Sequence, residues 1–256
     1  MKKHIGLLYI ILINSILTFS QNTDFQKRVF INKGDTLLYR VLFPLNYNKS
    51  IQYPLIVFLH GSGECGNDNE KQLVHGASLF LDSINKIKFP AVVIFPQCPE
   101  NQSWVKIIEY PNDKFDLITT KQPTLPLLMV KKLIESYQQS KLIDKKRIYI
   151  GGLSLGGMGT LDMICRYPRT FAAAISICGV VNTERLKKVR KMPIRIYSGS
   201  IDNVVSPEYA RNAYIELKAD GSQKAEIFEF PGVGHDCWTS AFAQPDFLTW
   251  LFNQHK

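Results

Sequence analysis

The sequence predicts an α/β fold: a mostly parallel, doubly wound sheet with an antiparallel hairpin at its N-terminal edge. Three observations carry this expectation. Continuous apolar runs occur at Leu55–Leu59, Ala91–Phe95, Ile148–Ile150, Ala172–Ile177, Ile194–Tyr197 and Ile227–Phe230. They are short, rich in Val and Ile and lack alternation, as strands buried on both faces of a parallel sheet do. Between them lie segments of helical period. Leu127, Val130, Ile134 and Tyr137 share one face, and so do Tyr209, Ala213 and Leu217, in a stretch opened by Ser206-Pro207 as N-cap and first helical residue. Ahead of both, Val29–Asn32 and Leu37–Phe43 flank Lys33-Gly34-Asp35, a hairpin signal.

At the N-terminus, Met1-Lys2-Lys3 precedes a mostly apolar run from Ile5 to Phe19. Thr18 and Ser20 place small residues at the −3 and −1 positions of a cut before Gln21. This is the layout of an export signal peptide over residues 1–20. The run is short for a membrane span of ~20 residues, and Asn14 and Ser15 interrupt it. Cleavage and an exported chain, periplasmic or secreted, without a stable membrane anchor, are therefore expected. Residues 21–256 carry no repeat, low-complexity tract or linker, and read as one domain.

The 256 residues are 45% hydrophobic and 21% charged, which excludes collagen-like, mucin-like and disordered classes. The net charge of +9 has no dense basic block behind it beyond Lys187–Lys191, so no nucleic-acid partner is expected. Five cysteines are an odd count without paired spacing. Cys165 and Cys178 fall in apolar runs and read as small core residues. Cys65 and Cys98 each follow a strand-like run, which leaves a bridge between them open. No CxxC or HExxH occurs, so no metal site is expected.

Chemistry concentrates where the run at Ile148–Ile150 enters Gly152-Leu153-Ser154-Leu155-Gly156. A serine on a sharp strand-to-helix turn needs small neighbours, because its backbone is strained and nearby Cβ atoms would clash. Such a turn exposes Ser154 Oγ above a helix N-terminus, whose N–H groups favour developing negative charge. Gly152…Gly157 is followed by Met158, where a phosphate-binding loop needs Lys. A serine alone is a weak nucleophile and requires a base with an orienting acid. Both are expected later, each just after a strand. Asp202 follows Ile194–Tyr197, and His235 follows Ile227–Phe230. All three then meet at the C-terminal edge of the sheet. Asp236 is the rival acid, disfavoured because it is adjacent to His235.

Two backbone donors complete the chemistry: Leu155 N–H after the nucleophile, and Ser62 N–H in the loop His60-Gly61-Ser62-Gly63-Glu64. Gly61-x-Gly63-x-x-Gly66 also matches a dinucleotide fingerprint, with Asp82 placed as a ribose-binding acid. Asn67-Asp68-Asn69 stands where an apolar helix should begin, so no cofactor is expected. His60 reads as a structural loop residue, and His75 as part of a helix. Glu64 either ties its loop or meets substrate, and Trp104 and Trp238 are candidate pocket walls.

At these residues the chain resembles the α/β-hydrolase superfamily. More narrowly, it is similar to secreted esterases related to polyhydroxybutyrate depolymerases and feruloyl esterases, and to predicted peptidases of prolyl-oligopeptidase type. The resemblance spans about Tyr53 to Phe252. It rests on Phe58-Leu-His-Gly-Ser-Gly-Glu64, Pro96-Gln-Cys-Pro99, Gly152-Leu-Ser-Leu-Gly156, Asp202 and Gly234-His235. It implies Ser154 as nucleophile, His235 as base, Asp202 as orienting acid, and Ser62 and Leu155 as oxyanion donors. About sixteen residues separate Ile177 from Ile194, too few for a large lid, so an open site is expected. The expected activity is hydrolysis of a small-molecule or polymer-attached carboxylic ester. A serine peptidase and a non-catalytic carbohydrate-binding protein are the alternatives.

Overall fold

The computed structural model describes residues 24–109 and 115–256; the expected signal peptide lies outside them. The chain opens with β1 (Gln26–Asn32) and β2 (Asp35–Leu42), paired antiparallel from Gln26↔Val41 to Asn32↔Asp35. The two-residue connection Lys33-Gly34 has φ of 53° and 92°. Positive φ at both central residues suits the right-handed twist of the strands it joins.

The main sheet continues with β3 (Tyr53–Leu59) and β4 (Val92–Pro96). A small separate hairpin follows, β5 (Ile107–Glu109) with β6 (Phe115–Leu117). Then come β7 (Ile143–Leu153), β8 (Ala173–Ile177), β9 (Ile194–Gly199) and β10 (Ala225–Phe230). The eight strands of the main sheet run in the order β1-β2-β4-β3-β7-β8-β9-β10. The pairs β1–β2 and β2–β4 are antiparallel, and the rest are parallel. The predicted architecture is therefore the observed one.

This order has a consequence for function. After β3 the chain turns one way to reach β4, whereas after β7 it turns the other way to reach β8. The connections therefore diverge between the C-terminal ends of β3 and β7, the crevice where open α/β sheets hold ligands.

Helices cover both faces. On one side lie α1 (Ala77–Leu81), α2 (Ser83–Lys88) and, later in the chain, α6 (Trp238–Phe242) and α7 (Phe247–Phe252). On the other lie α3 (Leu125–Gln139), α4 (Leu155–Arg166) and α5 (Pro207–Ala219). Strand alternation feeds both cores. Leu55, Val57 and Leu59 of β3 pack toward α3 and α4, while Ile56 and Phe58 pack toward α1 and α7. All seven residues of β3 are buried, and each large apolar side chain contributes roughly 1.5–3 kcal/mol. Ser206 caps α5 and Pro207 begins it, as the sequence predicts. The crossover from β8 to β9 holds one 3-10 stretch, Thr183–Val189.

Two local expectations change. The run at Ile227–Phe230 was expected to be buried on both faces, yet these residues are only partly buried. β10 is the last strand of the sheet, and Phe228 and Phe230 pack on the core from its edge, stacking on the buried Tyr197. His75 is not helical: Gly76, at φ 83°, separates the preceding 3-10 turn from α1.

Arg195 anchors β9 to this edge. Its guanidinium donates to Glu226 and Asp246 at 2.7 Å each and lies 4.6 Å from the Trp250 ring centroid. Both carboxylates are about half exposed, so losing Arg195 would leave them solvated and not stranded. We expect Arg195→Ala to cost about 2 kcal/mol, mostly packing and cation–π contact, and Arg195→Met about half that. Urea unfolding of the two variants measures the difference.

Candidate active site

The turn from β7 into α4 places Ser154 at φ 51° and ψ −119°, a conformation that costs a non-glycine residue about 1–3 kcal/mol. Its surroundings impose it. Ser154 N–H donates to Ile177 O at 2.8 Å, and Ser154 O accepts Met158 N–H at 3.0 Å as the helix begins. The flanking glycines are a steric requirement. A Cβ on Gly156 would overlap the Leu59 carbonyl, and one on Gly152 would lie 2.7 Å from the same oxygen. The turn is thus pressed against the end of β3. Leu155 opens α4, so its N–H belongs to the first turn, which has no intrahelical acceptor.

Asp202 and His235 arrive from the neighbouring strand ends. The loops after β9 and β10 are laced together: Ser200 N–H donates to Phe230 O at 3.0 Å, Ile201 N–H to Val233 O at 3.1 Å, and Gly232 N–H to Ser200 Oγ at 2.9 Å. Within this frame His235 Nδ1 lies 2.8 Å from Asp202 Oδ2, and His235 Nε2 lies 3.0 Å from Ser154 Oγ. Asp202 Oδ1 accepts the N–H groups of Val204 and Val205 at 2.9 and 2.8 Å. Burial alone would raise the Asp202 carboxyl; the His235 and backbone hydrogen bonds outweigh it and hold the group below its usual range. An ionised Asp202 puts the imidazole proton on Nδ1 and leaves Nε2 to accept the Ser154 hydroxyl proton. Asp236 is exposed and not part of this chain of bonds. Cys178 Sγ lies close by, within 4.8 Å of the Asp202 and His235 ligand atoms, but those atoms are already engaged with each other.

The loop after β3 borders the serine. The position of a Cβ on Gly61 would lie 3.6 Å from Ser154 Cβ and 3.1 Å from Glu64 Oε2. Ser62 starts a 3-10 turn, Ser62–Glu64, whose first backbone bond is made by Glu64 N–H to Gly61 O at 3.4 Å. Ser62 N–H therefore takes no part in the turn's own bonding. His60 holds the loop from below. Its Nε2 accepts Cys98 N–H at 2.9 Å, so Nδ1 carries the proton and donates to Gly61 O at 2.6 Å. Burial pushes its pKa down to about 4, as befits a neutral structural imidazole. Asp82, the alternative ribose-binding acid, instead caps α2 through Ile84 and Asn85 N–H.

Trp104 is not a pocket wall. It has no exposed surface, donates from Nε1 to His60 O at 3.1 Å and packs its Cβ against Gly159 of α4. It is a core residue beneath the loop, drawn there because its N–H finds a buried carbonyl. Trp238 is partly exposed and meets the His235 ring edge-on at 5.5 Å. His75, which its sequence position did not mark, joins the two sides. Its ring is 5.1 Å from that of Trp238, and its Nε2 is 3.7 Å from Glu64 Oε1. Glu64, His75, Trp238 and His235 thus form one line from the β3 loop to the β10 loop.

Comparison with known proteins fits this geometry. The phospholipase/carboxylesterase family matches residues 47–248. The chain belongs to that family. It is a carboxylesterase-type α/β-hydrolase, a serine hydrolase by class. A probable carboxylesterase, SOBER1-like, from Arabidopsis thaliana is 26% identical over 92% of this chain and 88% of its own length. A poly(3-hydroxyalkanoate) depolymerase C from Paucimonas lemoignei is 30% identical over 49% of this chain and 28% of its own. Among solved structures, a thermostable esterase superposes with a TM-score of 0.83 at 33% identity. That match covers 91% of this chain, which spans only 64% of the esterase. A ferulic acid esterase from Anaeromyces mucronatus, solved with ferulic acid, shares the fold at 15% identity, with a TM-score of 0.63 over 90% of each chain.

The depressed Asp202 carboxyl gives stability that is fully present above the unfolded value of about 3.9 and is lost as pH falls through the lower folded value. We expect the stability gap between wild type and Asp202→Asn to be constant near neutrality and to shrink below about pH 4. Urea unfolding across that range checks it; a gap independent of pH would remove Asp202 as an ionised member of the site.

Proposed function

We propose that this family member is an exported carboxylesterase whose Ser154, His235 and Asp202 act as a catalytic triad. The observation that carries the reading is the unbroken Asp202–His235–Ser154 hydrogen-bond path, 2.8 and 3.0 Å, beside a helix N-terminus. Ser154 Oγ attacks the ester carbonyl while His235 Nε2 takes its proton. The Leu155 and Ser62 N–H groups receive the developing oxyanion. His235 then returns the proton to the departing alcohol, and a water activated by the same imidazole hydrolyses the acyl-enzyme. Asp202 holds the imidazole tautomer throughout.

The substrate class we favour is an aryl or carbohydrate-linked acyl ester. Trp238 offers a flat, partly exposed ring beside the proposed base, and Val74, Ile201 and Val204, sequence neighbours of His75 and Asp202, are exposed apolar residues. A bulky planar group suits such a rim. Export rests on the signal-like pattern of residues 1–20.

A fluorophosphonate probe should label the wild type and fail to label Ser154→Ala. Asp202→Asn should label slowly and lose about 10³–10⁴ in kcat on an aryl ester. Absence of label on folded wild type would overturn the assignment, and turnover of a matched amide as fast as the ester would replace esterase by peptidase. Trp238→Ala should raise KM for an aryl acyl ester about tenfold and leave KM for an acetyl ester within about twofold. Equal effects on the two substrates would remove Trp238 from the acyl-binding wall.

A further inference from the structure

Four of the five cysteines face one another in two pairs, one under each loop that borders Ser154. Cys65 follows the Ser62–Glu64 turn, and Cys98 follows β4. Gly66 N–H donates to Cys98 O at 3.0 Å, which holds the two backbones side by side, and the two thiols are near enough to shift each other's titration. Cys178 follows β8, and Cys237 stands two residues after His235 at the start of α6. Cys178 Sγ donates to His235 O at 3.6 Å, two residues before Cys237, and the Cys237 side chain is near enough to raise the Cys178 pKa. All five cysteines are free thiols in this structure; Cys98, Cys178 and Cys237 are buried, and Cys65 is half-buried.

The backbone at Cys178 adds a second argument. Its φ is 43°, in the left-handed region, and its N–H is tied to Tyr197 O at 2.8 Å. Glycine would occupy that conformation without penalty, whereas a residue bearing Cβ costs about 1 kcal/mol or more. The side chain placed there at this cost is the one whose Sγ reaches the carbonyl of His235, two residues before Cys237.

We infer that this chain closes two disulfides, Cys65–Cys98 and Cys178–Cys237, which staple the oxyanion-side loop to the end of β4 and the His235 loop to the end of β8. Each forms by exchange with an external disulfide, either a low-molecular-weight one such as glutathione disulfide or the disulfide form of an oxidoreductase. One cysteine thiolate attacks the external S–S bond and expels one thiol. The second cysteine thiolate then attacks the mixed disulfide and expels the other. The protein loses two protons and two electrons per bridge, and the external disulfide becomes two thiols. Cys65 is the entry point for the first bridge. It is the accessible member, and the neighbouring Cys98 side chain lowers its pKa, while the same contact and burial raise that of Cys98. The second pair is buried on both sides, so its bridge closes during folding or when the His235 loop opens. Cys165, buried in α4, remains a thiol.

The inference is independent of the substrate, and its test involves no turnover. The full chain is refolded in a reduced/oxidised glutathione buffer, quenched in acid, unfolded, alkylated and weighed. One alkylated thiol is expected, and none in Cys165→Ala. Proteolytic mapping should find the peptide pairs bearing Cys65 with Cys98 and Cys178 with Cys237. The thermal midpoint of the bridged protein should exceed that of the reduced protein by about 5 °C or more, because the bridges shorten the unfolded chain's freedom over long loops. The Cys178→Ala/Cys237→Ala pair should lose part of that increment. Five alkylated thiols, a different pairing, or bridges that leave the midpoint unmoved would overturn the inference; the wild-type thiol count decides even if the variant fails to fold.

Discussion

The contact on which the rest of this structure depends is the one between Gly156 and the Leu59 carbonyl, where no Cβ fits. It brings the first turn of α4 hard against the end of β3, and three consequences follow from that closeness. Ser154 must adopt positive φ, because the chain has no room to leave β7 more gradually. The N–H groups of α4 come to lie beside the loop that continues β3, so donors from two distant segments share one small space. Gly61 is brought next to Ser154 Cβ for the same reason. The strain at Ser154 persists because packing on both sides over-determines it.

Electrostatics then follow from the sheet order. Parallel strands end on one edge, so the loops after β9 and β10 emerge beside that of β7 without any long-range device. What remains is fine spacing, and backbone bonds between the two loops supply it. Asp202 is ionised inside a buried position because it receives three donors: His235 Nδ1 and two backbone N–H groups. Removing any one would shift the balance toward the neutral acid, since burial acts against the charge throughout.

Much of this was legible from residue order alone, for physical reasons that can be named. Continuous Val/Ile runs have one comfortable home, and the Gly-x-Ser-x-Gly turn is readable because its glycines are sterically forced. Ser206-Pro207 announced α5 because proline at that position gives up a donor the helix never uses. The misreadings have equally plain causes. Trp104 looked like a pocket wall because nothing in one dimension reveals that His60 offers a carbonyl to its N–H. The partial exposure of β10 depends on its being last in the sheet, a property of topology and not of its own Ile-Phe-Glu-Phe text. His75 carries no local motif at all. Its place between Glu64 and Trp238 arises from two turns meeting in space, and the nearest signal was Gly76, whose positive φ keeps His75 out of the helix α1 that follows.

The two loops that flank Ser154 share a mechanical problem. Each must hold a group in a fixed place, yet each lies beyond the strand ends, outside the regular ladder of the sheet. The β3 loop solves it with His60, whose two ring nitrogens clamp Gly61 to Cys98. Such a clamp works only for a neutral imidazole with one donor and one acceptor, which is the state that burial enforces. The β10 loop lacks an equivalent imidazole to spare, because its histidine faces the serine. There the bonds to the β9 loop are joined by contacts from beneath: Cys178 reaches the His235 carbonyl, and Cys237 is buried at the start of α6. Both ring nitrogens of His235 are taken up by Asp202 and Ser154, so it cannot also brace its own loop, and neighbouring groups do so instead.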